Sequence, residues 1–189
     1  MHLTKNSFRQ KCLKKQKSAS THNKVYKDSL LNQKLSAFLR KNRFKNILFY
    51  YPLESEVDIR KTLVQMRKKS KIYTPFMQGK SFKMVPFRLP LQRKQFGILE
   101  AGNTHKKIKN IDLAIVPVVG VDGDLKRVGF GKGMYDRFFE TLRKKPFIIF
   151  IQKELCHTKK YICDSYDIQG DLLYTPTKTL LLGSKKRKQ

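Results

Sequence analysis

Acidic side chains are scarce in this chain: 14 Asp and Glu stand against 42 Lys and Arg in 189 residues, a formal net charge of +28. No acid occurs before Asp28. An excess of one sign this large points to anionic partners or substrates. Nucleic acid is the obvious anion. Yet the basic residues are spread along the whole chain, with no RNP-type segment and no helix-turn-helix signature, so no specific nucleic acid is expected. Long apolar runs are missing too. Nothing approaches the ~20 residues that cross a bilayer. The basic N-terminus also lacks an apolar leader segment, which predicts a cytoplasmic protein without a membrane partner. Cysteine is limited to Cys12, Cys156 and Cys163. An odd count with no Cys-x-x-Cys spacing, beside only 4 His, argues against zinc and redox centres and for reduced, structural thiols.

What is present suffices for a core. Hydrophobic residues make up 40% of the chain, with 13 Phe and 8 Tyr, which suits a folded globule. The length predicts one domain over residues 1–183, followed by a basic tail, 184–189, expected to be disordered. Thr4 is placed to cap a basic helix reaching about Lys17. Val25, Leu30, Leu31, Leu35, Phe38 and Leu39 recur at three- and four-residue spacing, which predicts an amphipathic helix. A further helix is expected from near Asp58, and another from near Gly133 toward Lys144. The segments NILFYYP, KIYTPF, SFKMVPF, IDLAIVPVV, FIIFI, DLLYT and TLLL read as strands, with SFKMVPF at an edge because of its proline. Strands alternating with helices predict an α/β fold: a three-layer α/β/α sandwich on a mainly parallel, mixed open sheet of Rossmann-like type.

The stretch RVGFGKGMYD, Arg127 to Asp136, sets three alternate glycines around a lysine ahead of a helix. Gly129, Gly131 and Gly133 permit left-handed backbone and let an anion approach the main chain without a Cβ in the way. Lys132 and Arg127 add mobile and forked positive charge, and a helix N-terminus favours anions. Neither a Walker A loop nor a dinucleotide fingerprint fits, because Gly133 follows Lys132 and Met134 stands where the latter needs glycine. The chemistry is that of a phosphate-gripping loop; the bland reading is a glycine-rich turn. Asp136, in the first helical turn, either complements the helix dipole or holds a hard cation such as Mg²⁺.

The stretch DLAIVPVVGVDGDLKRVGFGKGMYDRFF resembles the signature of the 5-formyltetrahydrofolate cyclo-ligases, also called methenyltetrahydrofolate synthetases. The matching residues are Pro117, Val121-Asp122, Arg127-Val128-Gly129, Gly131-Lys132-Gly133 and Met134-Tyr135-Asp136. Three more matches follow the family's order: KNSFR near the N-terminus, YYPLESEVD in the first third, and YDIQGDLLYT toward the end. The resemblance therefore covers nearly the whole chain. It implies an enzyme that uses ATP and Mg²⁺ to convert 5-formyltetrahydrofolate, free or polyglutamylated, to 5,10-methenyltetrahydrofolate; a monomer is expected.

The resemblance implies site residues as well. Lys5, Arg9, Arg127, Gly129, Gly131, Lys132, Gly133, Met134 and Tyr135 would hold ATP, with Lys132 and Arg127 acting in catalysis. Tyr51 and Glu56 would face the folate, and Asp136 and Asp167 would bind Mg²⁺. Taken alone, Lys5 and Arg9 also fit a solvated basic helix face, Glu56 and Asp167 fit ordinary turns, and Tyr135 fits the core. The chain departs from the family pattern at Met134, Val121, Tyr166 and Leu125, the last standing where a glycine is expected. The competing reading is a basic RNA-binding protein that uses the glycine corner only as a turn.

Overall fold

A computed structural model describes residues 3–19, 23–94, 97–105, 108 and 110–183; the tail 184–189 lies outside the described residues. The chain opens with two helices, α1 (Lys5–Ala19) and α2 (Lys24–Asn42). Thr4 caps α1 as its sequence suggests: its Oγ1 accepts the Ser7 amide at 3.1 Å, and Ser7 Oγ accepts the Thr4 amide at 3.1 Å, a reciprocal capping box. Strand β1 (Asn46–Phe49) and the short helix α3 (Arg60–Met66) come next. Helix α3 starts two residues beyond Asp58, whose Oδ1 accepts the Arg60 amide at 3.0 Å.

The main sheet then grows from β2 (Lys71–Gln78), β3 (Ser81–Pro86), β6 (Leu113–Pro117), β9 (Phe147–Ile151), β10 (Leu172–Tyr174) and β11 (Thr179–Leu181). Its order is β11-β10-β9-β6-β1-β2-β3. The five central strands are parallel, while β11 and β3 run antiparallel at the two edges. The strand of the SFKMVPF segment, β3, does lie at an edge, and Pro86 ends it. Two small hairpins, β4 (Gln92–Arg93) with β5 (Leu99–Glu100) and β7 (Gly120–Val121) with β8 (Arg127–Val128), interrupt the alternation. Helix α4 (Met134–Glu140) ends four residues short of Lys144.

Alternation along the buried strands divides the core into layers. Ile47, Phe49, Leu113, Ile115, Ile149 and Ile151 point toward Leu31, Leu35 and Leu39 of α2 and Leu63 of α3. Leu48, Ala114, Val116, Ile148 and Phe150 point to the opposite face, toward Phe138 and Phe139 of α4. Helices thus cover both faces of a mostly parallel sheet. Truncating a fully buried ring such as Phe49 or Phe150 costs about 3–5 kcal/mol in such a core. Among the described residues, no helix is long and apolar enough to cross a membrane.

A third cluster joins α1 to the β7–β8 hairpin through Phe8, Cys12, Val119, Val128 and Cys156. Here the expectation of reduced thiols fails. Cys12 and Cys156 form a disulfide across 144 residues of chain, because α1 folds back onto the segment after β9. Gly120 lies beneath this bridge, where a Cβ would come within 2.9 Å of Cys12 Sγ. Cys163 remains a free thiol, and burial pushes its pKa up.

Candidate functional site

The glycine corner lies between β8 and α4, so the strand before it is the short hairpin strand rather than the long apolar strand β6. Its three glycines serve two different needs. Gly131 and Gly133 adopt φ of +98° and +61°, a left-handed backbone that favours glycine. Gly129 is required by proximity, since a Cβ there would sit 2.3 Å from Arg127 Nη1. Arg127 is buried under the loop and its Nε donates to the Pro117 carbonyl at 3.2 Å. Its guanidinium carbon stands 4.9 Å from the Tyr135 ring centroid, and Nη1 lies 3.7 Å from Asp136 Oδ2. Asp136 Oδ1 also accepts the Ile168 amide at 3.3 Å. Lys132 is exposed at the tip, and its carbonyl accepts a hydrogen bond from Arg137.

Helix α1 brings two more cations to this corner. Arg9 Nε donates to the Gly129 carbonyl at 2.9 Å, and its guanidinium passes close to Gly131. One turn earlier, Lys5 Nζ pairs with Asp167 and, at 3.0 Å, with Asp164 Oδ2. Burial pulls the Lys5 ammonium down, but hydrogen bonds to Asp167 and Asp164 outweigh it and its pKa is raised. Asp167 Oδ2 accepts the Asp164 amide at 2.7 Å, and the Tyr166 hydroxyl donates to Asp164 Oδ2 at 2.9 Å. Lys5, Arg9, Arg127, Gly129, Gly131, Asp136 and Asp167 therefore meet in one region. Met134 and Tyr135 lie just below it, packed against the second core layer.

Beside the corner opens a cavity of ≈ 700 Å³, walled by α1 (Leu13, Gln16, Lys17), residues 53–57, residues 117–119, Phe130 and residues 151–153. Glu56 lines it. Desolvation lifts its carboxyl to about 7, against the opposing pull of the Leu53 amide, Arg127 and Lys153. The Leu53 amide reaches Glu56 Oε2 at 2.9 Å. Tyr50, not Tyr51, contributes to the lining. Tyr51 stacks on Phe87 at 6.2 Å between ring centroids and belongs with the core layer under α2 and α3.

Four contributors carried no recognisable signal or only part of one. Lys153 is buried in the cavity wall although it lies two residues past the end of an apolar strand. Phe130, half exposed between two glycines, forms part of the rim. Asp164 shares Lys5. Asp122 matched the family signature, but its work emerges only in space: Oδ1 accepts the amides of Asp124 and Lys126 at 3.0 Å, and Oδ2 those of Ile162 and Cys163 at 3.2 and 3.1 Å. That carboxylate ties the β7–β8 turn to the segment bearing Asp164 and Asp167. Leu125 sits in the same turn at φ +56°, so the residue in the expected glycine position does adopt glycine-like backbone, held by burial of its side chain.

Residues 2–158 match the model of the 5-formyltetrahydrofolate cyclo-ligase family. The chain is 31% identical over 172 residues to the 5-formyltetrahydrofolate cyclo-ligase of Mycoplasma pneumoniae, covering 90% of this chain and 98% of that protein. The enzyme of the same name from Mycoplasma genitalium is 29% identical, with 89% and 96% covered. The solved structure of Aquifex aeolicus 5,10-methenyltetrahydrofolate synthetase superposes with a TM-score of 0.77 at 22% identity, over 99% of this chain and 97% of that one. The Mycoplasma pneumoniae 5,10-methenyltetrahydrofolate synthetase structure gives 0.70 at 26% identity, over 92% and 99%.

Proposed function

The chain belongs to the 5-formyltetrahydrofolate cyclo-ligase family, and we propose that it converts 5-formyltetrahydrofolate and ATP to 5,10-methenyltetrahydrofolate, ADP and phosphate at the corner and cavity described above. The observation that carries this reading is the hydrogen bond from Arg9 to Gly129. It joins the N-terminal cations to the glycine corner at the edge of a cavity large enough for a folate.

The chemistry asked of the site is modest. A formamide carbon is a weak electrophile and its oxygen a poor leaving group. Transfer of the terminal phosphoryl group to the formyl oxygen releases ADP and leaves an iminium-type phosphate. N10 of the same folate attacks that carbon and gives up its proton; the C–O bond breaks and phosphate departs. Catalysis then consists of alignment and of charge stabilisation. Arg9, Lys132 and the amides around Gly131 and Gly133 hold phosphate oxygens. Arg127, fixed under the loop, supplies a permanent positive field. Lys5 exchanges its carboxylates for a phosphate. Glu56, when ionised, accepts hydrogen bonds from the donor-rich edge of the pterin ring, and Tyr51 supports that wall from behind.

Among the described residues, no group of three or more His, Cys, Asp or Glu could hold a metal by itself. Asp136 accepts the amide of Ile168, the residue after Asp167, and two carboxylates with phosphate oxygens and water form a normal Mg²⁺ environment. The residues fit the ion as half of a site that the nucleotide completes. Bound there, Mg²⁺ neutralises charge on the transferring phosphate. The enzyme acts as a cytoplasmic monomer and takes polyglutamylated as well as free substrate.

The test is absorbance of the methenyl product in the near ultraviolet, with purified protein, 5-formyltetrahydrofolate, ATP and Mg²⁺. We expect ATP-dependent product formation that falls at least about a hundredfold in Lys132→Ala. Absence of product from the folded wild type would refute the reading.

A further inference from the structure

The cavity is lined by a second charged residue, Lys153, which no motif singled out. It is only 3% exposed and lines the same cavity as Glu56, from a different segment of chain. Burial pushes its ammonium below its ordinary value, and Lys24 and Lys27 push the same way; Asp28 and Glu56 oppose them. Glu56 is held from the other side by the Leu53 amide on Oε2. Among the described residues, no hydrogen bond reaches Glu56 Oε1. The cavity is therefore lined by both a carboxylate and a cationic side chain that feel each other's charge, with the apolar surfaces of Leu13, Val118 and Ile151 around them.

This pairing has the pattern of a particular ligand edge. A pterin offers, in a row, the carbonyl oxygen O4, the N3–H group and the 2-amino group: one acceptor followed by two donors. A carboxylate accepts from the two donors, and a cationic donor beside it reaches the carbonyl. Resting on the folate reading of this cavity, we infer that Lys153 is a specificity-determining residue that donates a hydrogen bond to O4 of the pterin while Glu56 accepts from N3–H and the 2-amino group. An ammonium carries three N–H donors, so one directed at the ligand is compatible with contacts elsewhere. The other charged or titratable groups that act on Glu56 are Arg127, Tyr50 and Tyr135. Arg127 is engaged by Asp136 and the Pro117 carbonyl and Tyr50 donates to the Val57 carbonyl, so neither competes for O4.

The test is calorimetric binding of two ligands, 5-formyltetrahydrofolate and its analogue with an amino group in place of the 4-oxygen, to wild type and to Lys153→Met. For the 4-oxo ligand, loss of a charged hydrogen bond is expected to weaken binding about 10- to 100-fold. The 4-amino ligand presents a donor to a donor, so the same substitution leaves its binding unchanged or tightens it. Lys153→Arg retains a cationic donor and is expected to stay near the wild-type ratio. Should Lys153→Met fail to fold, Lys153→Gln provides the same comparison with a neutral donor, and a smaller loss for the 4-oxo ligand alone is expected. Equal weakening of both ligands, or no change in either, would overturn the assignment of Lys153 while leaving the folate site standing. A wild type that binds neither ligand overturns both.

Discussion

The two ends of the site treat charge in opposite ways. At the glycine corner each carboxylate already has a cation: Asp136 faces Arg127, while Asp164 and Asp167 share Lys5. In the cavity, Glu56 is held by an amide and only influenced by Arg127 and Lys153, and desolvation lifts it to about 7. The carboxylates of the corner are therefore paired before anything binds, and in the proposed reading Lys5 reaches phosphate by changing partners. The cavity instead keeps an acid that is short of donors, and a ligand supplies them. One end exchanges ion pairs, and the other waits for hydrogen bonds.

The harshest way to break this contrast is Arg127→Ala. It leaves Asp136 partly buried without its cation, which costs about 3–5 kcal/mol of stability, and turnover should fall at least about a thousandfold. A variant with unchanged melting temperature and kinetics would refute the partner assignment. Next in size is Gly129→Ala, whose Cβ would meet Arg127 Nη1 at 2.3 Å. Displacing the guanidinium or the loop by about 1 Å is expected to lower kcat/KM about a hundredfold, checked beside far-UV circular dichroism that stays native.

Asp167→Asn sharpens the comparison at the corner. It releases Lys5 from its strongest partner, so ATP without divalent metal should bind about tenfold tighter by calorimetry, while the benefit of adding Mg²⁺ shrinks. Weaker metal-free ATP binding would contradict the exchange of partners.

The smallest effect belongs to Glu56→Gln. A carboxyl whose folded-state pKa is raised from 4.5 to about 7 is disfavoured when ionised, so it lowers stability progressively as pH rises between those values and adds nothing below them. The glutamine variant should thus equal wild type near pH 4 and exceed it at pH 8, by no more than the ~3 kcal/mol that the full shift implies, measured by chemical denaturation. In wild type the same ionisation should appear as an acid limb in kcat/KM near pH 7, absent from the variant.

Much of the scaffold is visible in the sequence because strands buried on both faces are continuous apolar runs: IDLAIVPVV and FIIFI could hardly be anything else. The glycine corner is visible too, since three alternate glycines around a lysine stand out from the rest of the chain. What stayed hidden has physical reasons. The β7–β8 hairpin has strands of two residues each, too short to show any period. The Cys12–Cys156 bridge spans 144 residues, and only the docking of α1 brings its halves together. Lys153 looks like the solvated end of a strand until the cavity is seen to close over it. Tyr50 and Tyr51 are neighbours of one type, and sequence cannot say which side of the sheet end each one takes.

Asp122 carries a consequence for how this site can vary. Its two oxygens bind amides on both sides of a gap of some forty residues, fixing the turn that leads into Arg127 and the segment that leads into Asp167 to a common fulcrum. Cation and acid are then not independently adjustable: a change at Asp122 would tilt both together. Drift in one half of the phosphate end should accordingly be repaired by substitutions in the other half, and selection experiments starting from a weakened Asp122 variant would find their suppressors there.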